Sequence, residues 1–285
     1  MKNKKYLEFL FLIILGALTS LSLPPYNYLF INFITIGLFF IYICQKKRFN
    51  KKQNSFLYGW FFGFGYFLSN LYWVTISLTF DENFNFLIPF ALILIPSFLG
   101  IFYGLVTYCF FIINIKKPLS NLFLFSLLLG LTEFLRGNIL TGFPWNLIAF
   151  SFSDNLEILQ ILSFIGTYGF NILCISFFAS PAIFIIRENR KEISTCIILL
   201  LSPIILFSLG SSNIKSFQSS NIINNDYLIR IIGSNIDLNR FYGSSDTAEV
   251  INELIEISQP DMEIKTIFIW PEGIIPNVNQ IELKK

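Results

Sequence analysis

The sequence predicts an α-helical transmembrane bundle of about seven spans, followed by the start of an outer α/β domain. Three observations carry this. The composition is 54% hydrophobic and only 13% charged, with 35 Phe, far from that of an ordinary soluble domain. Seven apolar stretches, each long enough to cross a hydrocarbon core of roughly 30 Å, alternate with short polar loops. The last quarter then turns polar and shows a strand–helix–strand pattern.

The apolar stretches are 6–23, 28–44, 55–78, 86–115, 119–134, 156–186 and 193–209. The first follows Lys2, Lys4 and Lys5 as a signal peptide would. It has no clear small-x-small cleavage site and reads as an uncleaved span. The loops sort by charge. Lys46, Lys47, Arg48, Lys51 and Lys52 follow the second stretch, Lys116 and Lys117 the fourth, and Arg187, Arg190 and Lys191 the sixth. The alternate loops are poor in cations: 24–27 and 137–155 have none, and Asp81-Glu82-Asn83 is acidic. The positive-inside rule then puts the N-terminus in the cytoplasm and everything after Leu209 outside, which in a Gram-negative cell is the periplasm. This predicts a multi-pass inner-membrane protein with a transmembrane domain over 1–210 and an outer segment over 211–285.

The outer segment opens with a Ser/Asn-rich linker, 211–225. A strand is expected over 227–232. Asp246 and Glu249 form a plausible capping box for a helix with Val250, Ile251, Leu254 and Ile255 on one face. Gln259-Pro260 ends that helix. A second strand, 266–270, is rich in β-branched and aromatic residues and stops at Pro271, which cannot donate to a sheet ladder. About 75 residues, part of them linker, are few for a stable α/β domain, so the outer domain reads as cut short.

Composition excludes several chemistries. Without histidine there is no Ser-His-Asp or Cys-His nucleophile and no His-ligated metal site. Cys44, Cys109, Cys174 and Cys196 lie in or beside apolar runs, lack metal-ligand spacing and suggest no disulfide framework; they suit small core positions. No basic tract carries interleaved aromatics, so nucleic acid is not an expected partner. No cofactor and no metal is expected.

Some residues fit the pattern less simply. Glu133 and Arg136 close the fifth span at i,i+3 spacing, which places both on one helix face. Charges in a span are costly unless paired or facing a cavity, so they mark either a functional pair or a helix-end pair reaching the interface. Phe143 and Trp145, in Gly142-Phe143-Pro144-Trp145-Asn146, fit a headgroup-level aromatic belt or a lipid contact. Gly63-Phe64-Gly65-Tyr66, with Asn70, Tyr72 and Trp73, fits close helix packing better than a lipid groove. Glu272, after Trp270-Pro271, is a carboxylate delivered at a strand end: a catalytic base or a polar turn residue.

Taken together these motifs resemble the apolipoprotein N-acyltransferase family, the membrane-bound branch of the nitrilase (carbon–nitrogen hydrolase) superfamily. The similarity rests on Thr132-Glu133-Phe134-Leu135-Arg136-Gly137, on Leu140-Thr141-Gly142-Phe143-Pro144-Trp145-Asn146, on Gly63-Phe64-Gly65 with Trp73, and on Ile269-Trp270-Pro271-Glu272 with Ile275-Pro276. The resemblance implies a periplasmic αββα nitrilase-like domain on the bundle. It implies transfer of an acyl chain from a membrane phospholipid to the N-terminal amine of a diacylated apolipoprotein, through a thioester acyl-enzyme. The superfamily uses a Glu-Lys-Cys triad, in which Glu272 matches the glutamate and would act as general base.

Two departures stand beside it. The triad lysine and cysteine belong well downstream of the glutamate, but only thirteen residues follow Glu272, with no cysteine and only the terminal Lys284 and Lys285. The sequence therefore reads as the N-terminal portion of a longer enzyme, inactive by itself. The family also has a Gln-Gly/Pro-Asn-Ile-Pro-like stretch and then Lys-Trp. Here Gly233-Ser234-Asn235-Ile236-Asp237 precedes Arg240-Phe241, with Phe241 as an apolar wall in place of the tryptophan. The alternative is a non-catalytic membrane scaffold or lipid-binding protein with a vestigial nitrilase-like segment. A transporter would need paired polar residues at mid-membrane and an inverted repeat, and the sequence suggests neither.

Overall fold

The computed structural model describes residues 2–49, 52–113, 115–140, 142–219, 227–233, 247–261 and 263–271. The chain divides into two compact units, Met1–Ser219 and Ser220–Lys285. In the first, helices form at each of the seven apolar stretches: α1 (Lys2–Ser20), α2 (Ile31–Arg48), α3 (Ser55–Leu71), α4 (Ile88–Ile112), α5 (Pro118–Asn138), the broken run α6 (Leu156–Leu159), α7 (Leu162–Ala179) and α8 (Ile183–Ile186), and α9 (Lys191–Ser219).

Among the described residues four helical segments are long and apolar enough to cross a membrane by length and composition: Glu82–Ile112, Pro118–Asn138, Leu162–Ile186 and Lys191–Ser219. That is a coarser result than the seven spans expected. The first three helices fall short for local reasons. α1 carries Lys4, Lys5 and Glu8, α2 ends in Lys46, Lys47 and Arg48, and α3 has 17 residues. The third apolar stretch does not stay α-helical to its end. It tightens into a 3₁₀ segment, Tyr72–Thr79, which turns Tyr72 and Trp73 outward. The sixth breaks at Gly166, whose φ of 67° is a backbone state open to glycine.

α3 lies between α1 and α4, and small residues set the spacing. A Cβ on Gly65 would lie 2.1 Å from the Ile13 carbonyl oxygen of α1, and one on Gly16 of α1 would lie 1.9 Å from that of Phe62. On the other side a Cβ on Gly59 would lie 2.0 Å from the Tyr103 carbonyl oxygen of α4. Where lipid is as apolar as the side chains, contact of this kind holds helices together. The Gly-Phe-Gly motif therefore serves close packing. Phe and Tyr fill what remains: Phe39 stacks on Phe62 at 4.1 Å, and Phe125 packs edge-on to Phe39 and Phe110. Cys174 and Cys196 are buried, while Cys44 and Cys109 are half-buried, and all four are free thiols.

α9 departs from the expected linker. It continues to Ser219, eight residues past the predicted break at 211. Once a helix has formed, each further residue adds a hydrogen bond at low cost, and Ser and Asn are neutral rather than breaking.

In the second unit, β1 (Leu228–Ile231) and β2 (Thr266–Ile269) pair in parallel, Leu228 opposite Thr266 and Ile231 opposite Ile269, with α10 (Thr247–Ser258) between them in sequence. The apolar face of α10 is narrower than expected. Val250 and Leu254 are buried but Ile255 is exposed, and the i+8 position is taken by buried Ser258. Ser258 is there because Trp270 Nε1 donates to its hydroxyl at 2.9 Å while the Trp270 ring packs on Val250 and Leu254. Arg230 Nη1 donates to the carbonyls of Ser258 and Gln259, satisfying orphan acceptors at the helix end. Asp246 of the expected capping box lies outside the described residues.

The glycine contacts give a test. Gly59→Ala should destabilise the bundle by about 1–3 kcal/mol through overpacking. Gly37→Ala should leave the unfolding temperature nearly unchanged, because its nearest contact would be the Phe178 carbonyl oxygen at 3.9 Å. Thermal unfolding of both variants in detergent measures the difference.

Candidate functional site

The site is built where α5 ends. Glu133 and Arg136 share a helix face, as their spacing predicts, but neither reaches an interface: they are 0% and 2% exposed. Nor do they form an ion pair with each other. A buried carboxylate must be hydrogen-bonded to be tolerated, and Glu133 takes its bonds from other helices. Tyr103 of α4 donates its hydroxyl to Glu133 Oε1 at 2.8 Å, and Asn171 of α7 donates Nδ2 to Oε2. The Asn171 amide is itself oriented, because its Oδ1 accepts the Ala149 backbone N–H at 3.0 Å. Three long helices and the 3₁₀ segment Ile148–Phe152 thus meet on one carboxylate. The partners of Glu133 are not evident from its helix spacing, which pairs it with Arg136 alone. The available signal was a lone Asn171 and Tyr103 in otherwise apolar runs, which must find partners when buried.

Arg136 holds the loop that follows. The chain leaves α5 at Asn138, turns through Leu140 and Gly142, both at positive φ, and doubles back. Phe143 N–H then donates to the Arg136 carbonyl at 2.9 Å, and Arg136 Nη1 donates to the Phe143 carbonyl at 2.8 Å. The guanidinium lies between two rings, 5.1 Å from the centroid of Phe67 and 5.6 Å from that of Phe143. Its Nε and Nη2 are buried and have no hydrogen-bond acceptor. Tyr66 closes the far end of the loop by donating to the Asn146 carbonyl at 2.8 Å.

Beside this loop lies a pocket of about 380 Å³. Leu94, Ile95, Phe98, Leu99 and Phe102 of α4 form one wall, and Ile139, Leu140, Gly142 and Phe143 form the other. Among the described residues Arg136 is the single charged one lining it. An apolar slot with one cation whose remaining N–H groups lack acceptors suits an acyl chain that ends in an anionic or carbonyl oxygen. Trp145 adds a ledge: it stacks on Trp73 at 5.5 Å and packs against Phe143 at 5.3 Å. Both indoles are half exposed, as expected of residues whose rings face an interface.

Of the residues singled out from sequence, Glu133, Arg136, Phe143 and Trp145 come together here, joined by Trp73, Tyr66, Tyr103 and Asn171. Glu272 and Phe241 lie outside the described residues, although the described strand β2 leads through Trp270 and Pro271 to the position before Glu272. Among the described residues no cluster of His, Cys, Asp or Glu has the makings of a metal site.

Comparison with known proteins points to one family. An apolipoprotein N-acyltransferase of Rhodopseudomonas palustris is 29% identical over 278 residues, which cover 92% of this chain and 50% of that protein. One of Rickettsia prowazekii is 30% identical over 284 residues, covering 95% of this chain and 54% of its own length. A third, of Rhizobium etli, reaches 32% over 183 residues, 62% of this chain and 34% of that protein. The chain spans about half the length of the curated relatives it matches. Residues 15–180, which contain the buried Glu133 cluster, the Arg136 loop and the aromatic ledge, match the family model of the apolipoprotein N-acyltransferase N-terminal domain, and the chain belongs to that family.

Proposed function

We propose that this chain supplies the membrane bundle and the opening of the outer domain of an enzyme that N-acylates lipoproteins. The reaction moves an acyl chain from a membrane phospholipid to the free α-amino group of an N-terminal diacylglyceryl-cysteine. The observation that carries the reading is the family match through 15–180, the segment holding Glu133, Arg136, Phe143 and Trp145. The topology that goes with it is seven spans in the inner membrane, with a cytoplasmic N-terminus and a periplasmic nitrilase-like segment over 211–285. The seven helical regions, the loop charges and the parallel β1–α10–β2 arrangement support it.

In this reading the slot beside Arg136 receives the donor's acyl chain, and the guanidinium offers its unused N–H groups to the lipid's phosphate or ester oxygens. Trp73, Phe143 and Trp145 hold the glycerol region at headgroup depth, and Phe241 supplies an apolar wall in the outer segment. Glu272 accepts the proton of the nucleophilic cysteine thiol. The thiolate attacks the ester carbonyl, the C–O bond breaks and the lysophospholipid leaves with a proton. The incoming amine then attacks the thioester, the C–S bond breaks, and an amide and a free thiol result. Backbone amides and the triad lysine stabilise the oxyanion in both steps.

Two outcomes test this. In the complete enzyme, Glu272→Gln should abolish the thioester intermediate, read by mass spectrometry of the intact protein, while membrane insertion stays normal; an acyl-enzyme at wild-type level would remove Glu272 from the base role. Arg136→Met should lower kcat/KM for the phospholipid donor by about 10- to 100-fold, the loss expected for hydrogen bonds to a charged group. If the effect fell on the amine acceptor instead, the slot would not be the donor site.

A further inference from the structure

At the other end of α5 lies a second and larger pocket, of about 750 Å³, which the acyl-transfer reading does not use. We propose that it binds the phosphodiester headgroup of an anionic phospholipid in the leaflet facing the Lys/Arg-rich loops. Four cations from three separate segments line it: Lys47 and Arg48 at the end of α2, Lys116 ahead of α5, and Arg187 after α8. Among the described residues Glu188 is the one carboxylate in the lining. Bringing like charges together is unfavourable unless an anion is shared among them.

Lys47 is held for such a role. Its Nζ donates to the Ile113 carbonyl at 2.8 Å and to Asn121 Oδ1 at 3.0 Å, and it lies 4.2 Å over the Phe110 ring. An ammonium has three donors, so one N–H remains for a ligand oxygen. Pro118 and Asn121 of the lining form the first turn of α5, a 21-residue helix whose N-terminus favours negative charge. Ile115, Ile185 and Ile186 form an apolar part of the wall beside the cations. That mixture suits a phosphate attached to acyl chains better than a soluble anion. Basic pockets between spans on the cytoplasmic side are a recurrent way of gripping acidic lipids. The site is independent of the acyltransferase reading and stands or falls without it.

The test uses the purified chain in neutral detergent, titrated with phosphatidylglycerol or phosphatidylcholine and read by native mass spectrometry and by thermal shift. Phosphatidylglycerol should bind preferentially and raise the unfolding temperature. The double variant Lys116→Gln/Arg187→Gln, which spares the buried contacts of Lys47, should bind it about 25-fold more weakly, about fivefold for each cation removed. If that variant fails to fold, the wild-type protein still decides: its phosphatidylglycerol shift should fade as sodium chloride is raised. Equal binding of the two lipids, a double variant that keeps its preference, or a salt-independent shift would overturn the proposal. So would displacement of the lipid by millimolar inorganic phosphate, which would identify a site for the free anion.

Discussion

The bundle is organised around a carboxylate that has no access to water. Burying an ionised or even a neutral carboxyl group without partners is among the most expensive things a fold can do. Glu133 is buried with partners drawn from two other helices, so the positions of α4, α5 and α7 are coupled through one side chain. The orientation of Asn171 depends in turn on the Ala149 backbone N–H, which ties in the 3₁₀ segment as well. The close glycine contacts of α3 with α1 and α4 complete the frame. Apolar packing alone, with Phe at so many positions, would leave helix register loosely specified. A fully satisfied polar cluster specifies it.

Arg136 depends on that frame and uses it differently. It lies one turn beyond Glu133 yet forms its bond with a loop carbonyl and two ring faces. The result is a guanidinium fixed by aromatic walls and one hydrogen bond, with Nε and Nη2 buried without an acceptor, in a residue that lines an apolar slot. A guanidinium is less strongly hydrated than an ammonium and keeps its charge at any accessible pH, which fits it for a dry position next to lipid. The positive φ of Gly142 makes the doubled-back loop possible, and the loop in turn delivers Phe143 and Trp145 to the ledge. The short run Gly142 to Asn146 is thus a single device for placing rings beside a buried cation.

Much of this was legible in the sequence, for identifiable reasons. The helices follow from long apolar stretches, and Gly63 and Gly65 announce close packing because no other residue permits it. The strand–helix–strand of the outer segment follows from β-branched runs and from Pro260 and Pro271. Glu133 and Arg136 stood out because charge in a span demands an explanation. Their partners did not stand out. Asn171 and Tyr103 are far from Glu133 in sequence, and periodicity carries no information about which helices meet. The i,i+3 spacing suggested a mutual pair, and tertiary contacts overrode it by giving each group a better partner. The continuation of α9 to Ser219 is not legible in the sequence, because a polar composition suggests a linker even where helical propagation costs little. Spacing places Ile255 on the buried face because propensity cannot tell which of two apolar edges a small unit will cover; the Trp270–Ser258 bond selects the other edge.

The charge pattern of the loops carries a further consequence when placed on the structure. α5 has 21 residues, so its ends lie about 30 Å apart, the thickness of a hydrocarbon core. At its C-terminal end a single desolvated guanidinium lines a slot of about 380 Å³ under exposed indoles. At its N-terminal end four cations, most of them exposed, line an open pocket of about 750 Å³. The two ends pose different electrostatic problems. A lone cation in a dry slot gains from one well-placed oxygen and discriminates by geometry. A wet cluster of cations gains from net negative charge and discriminates by valence and ionic strength. A lipid carrying one phosphate could satisfy either, but only the first site would select for how its acyl chain lies. In the two proposals the same helix separates recognition of an acyl chain from recognition of a charged headgroup, by a length that matches the thickness of a hydrocarbon core.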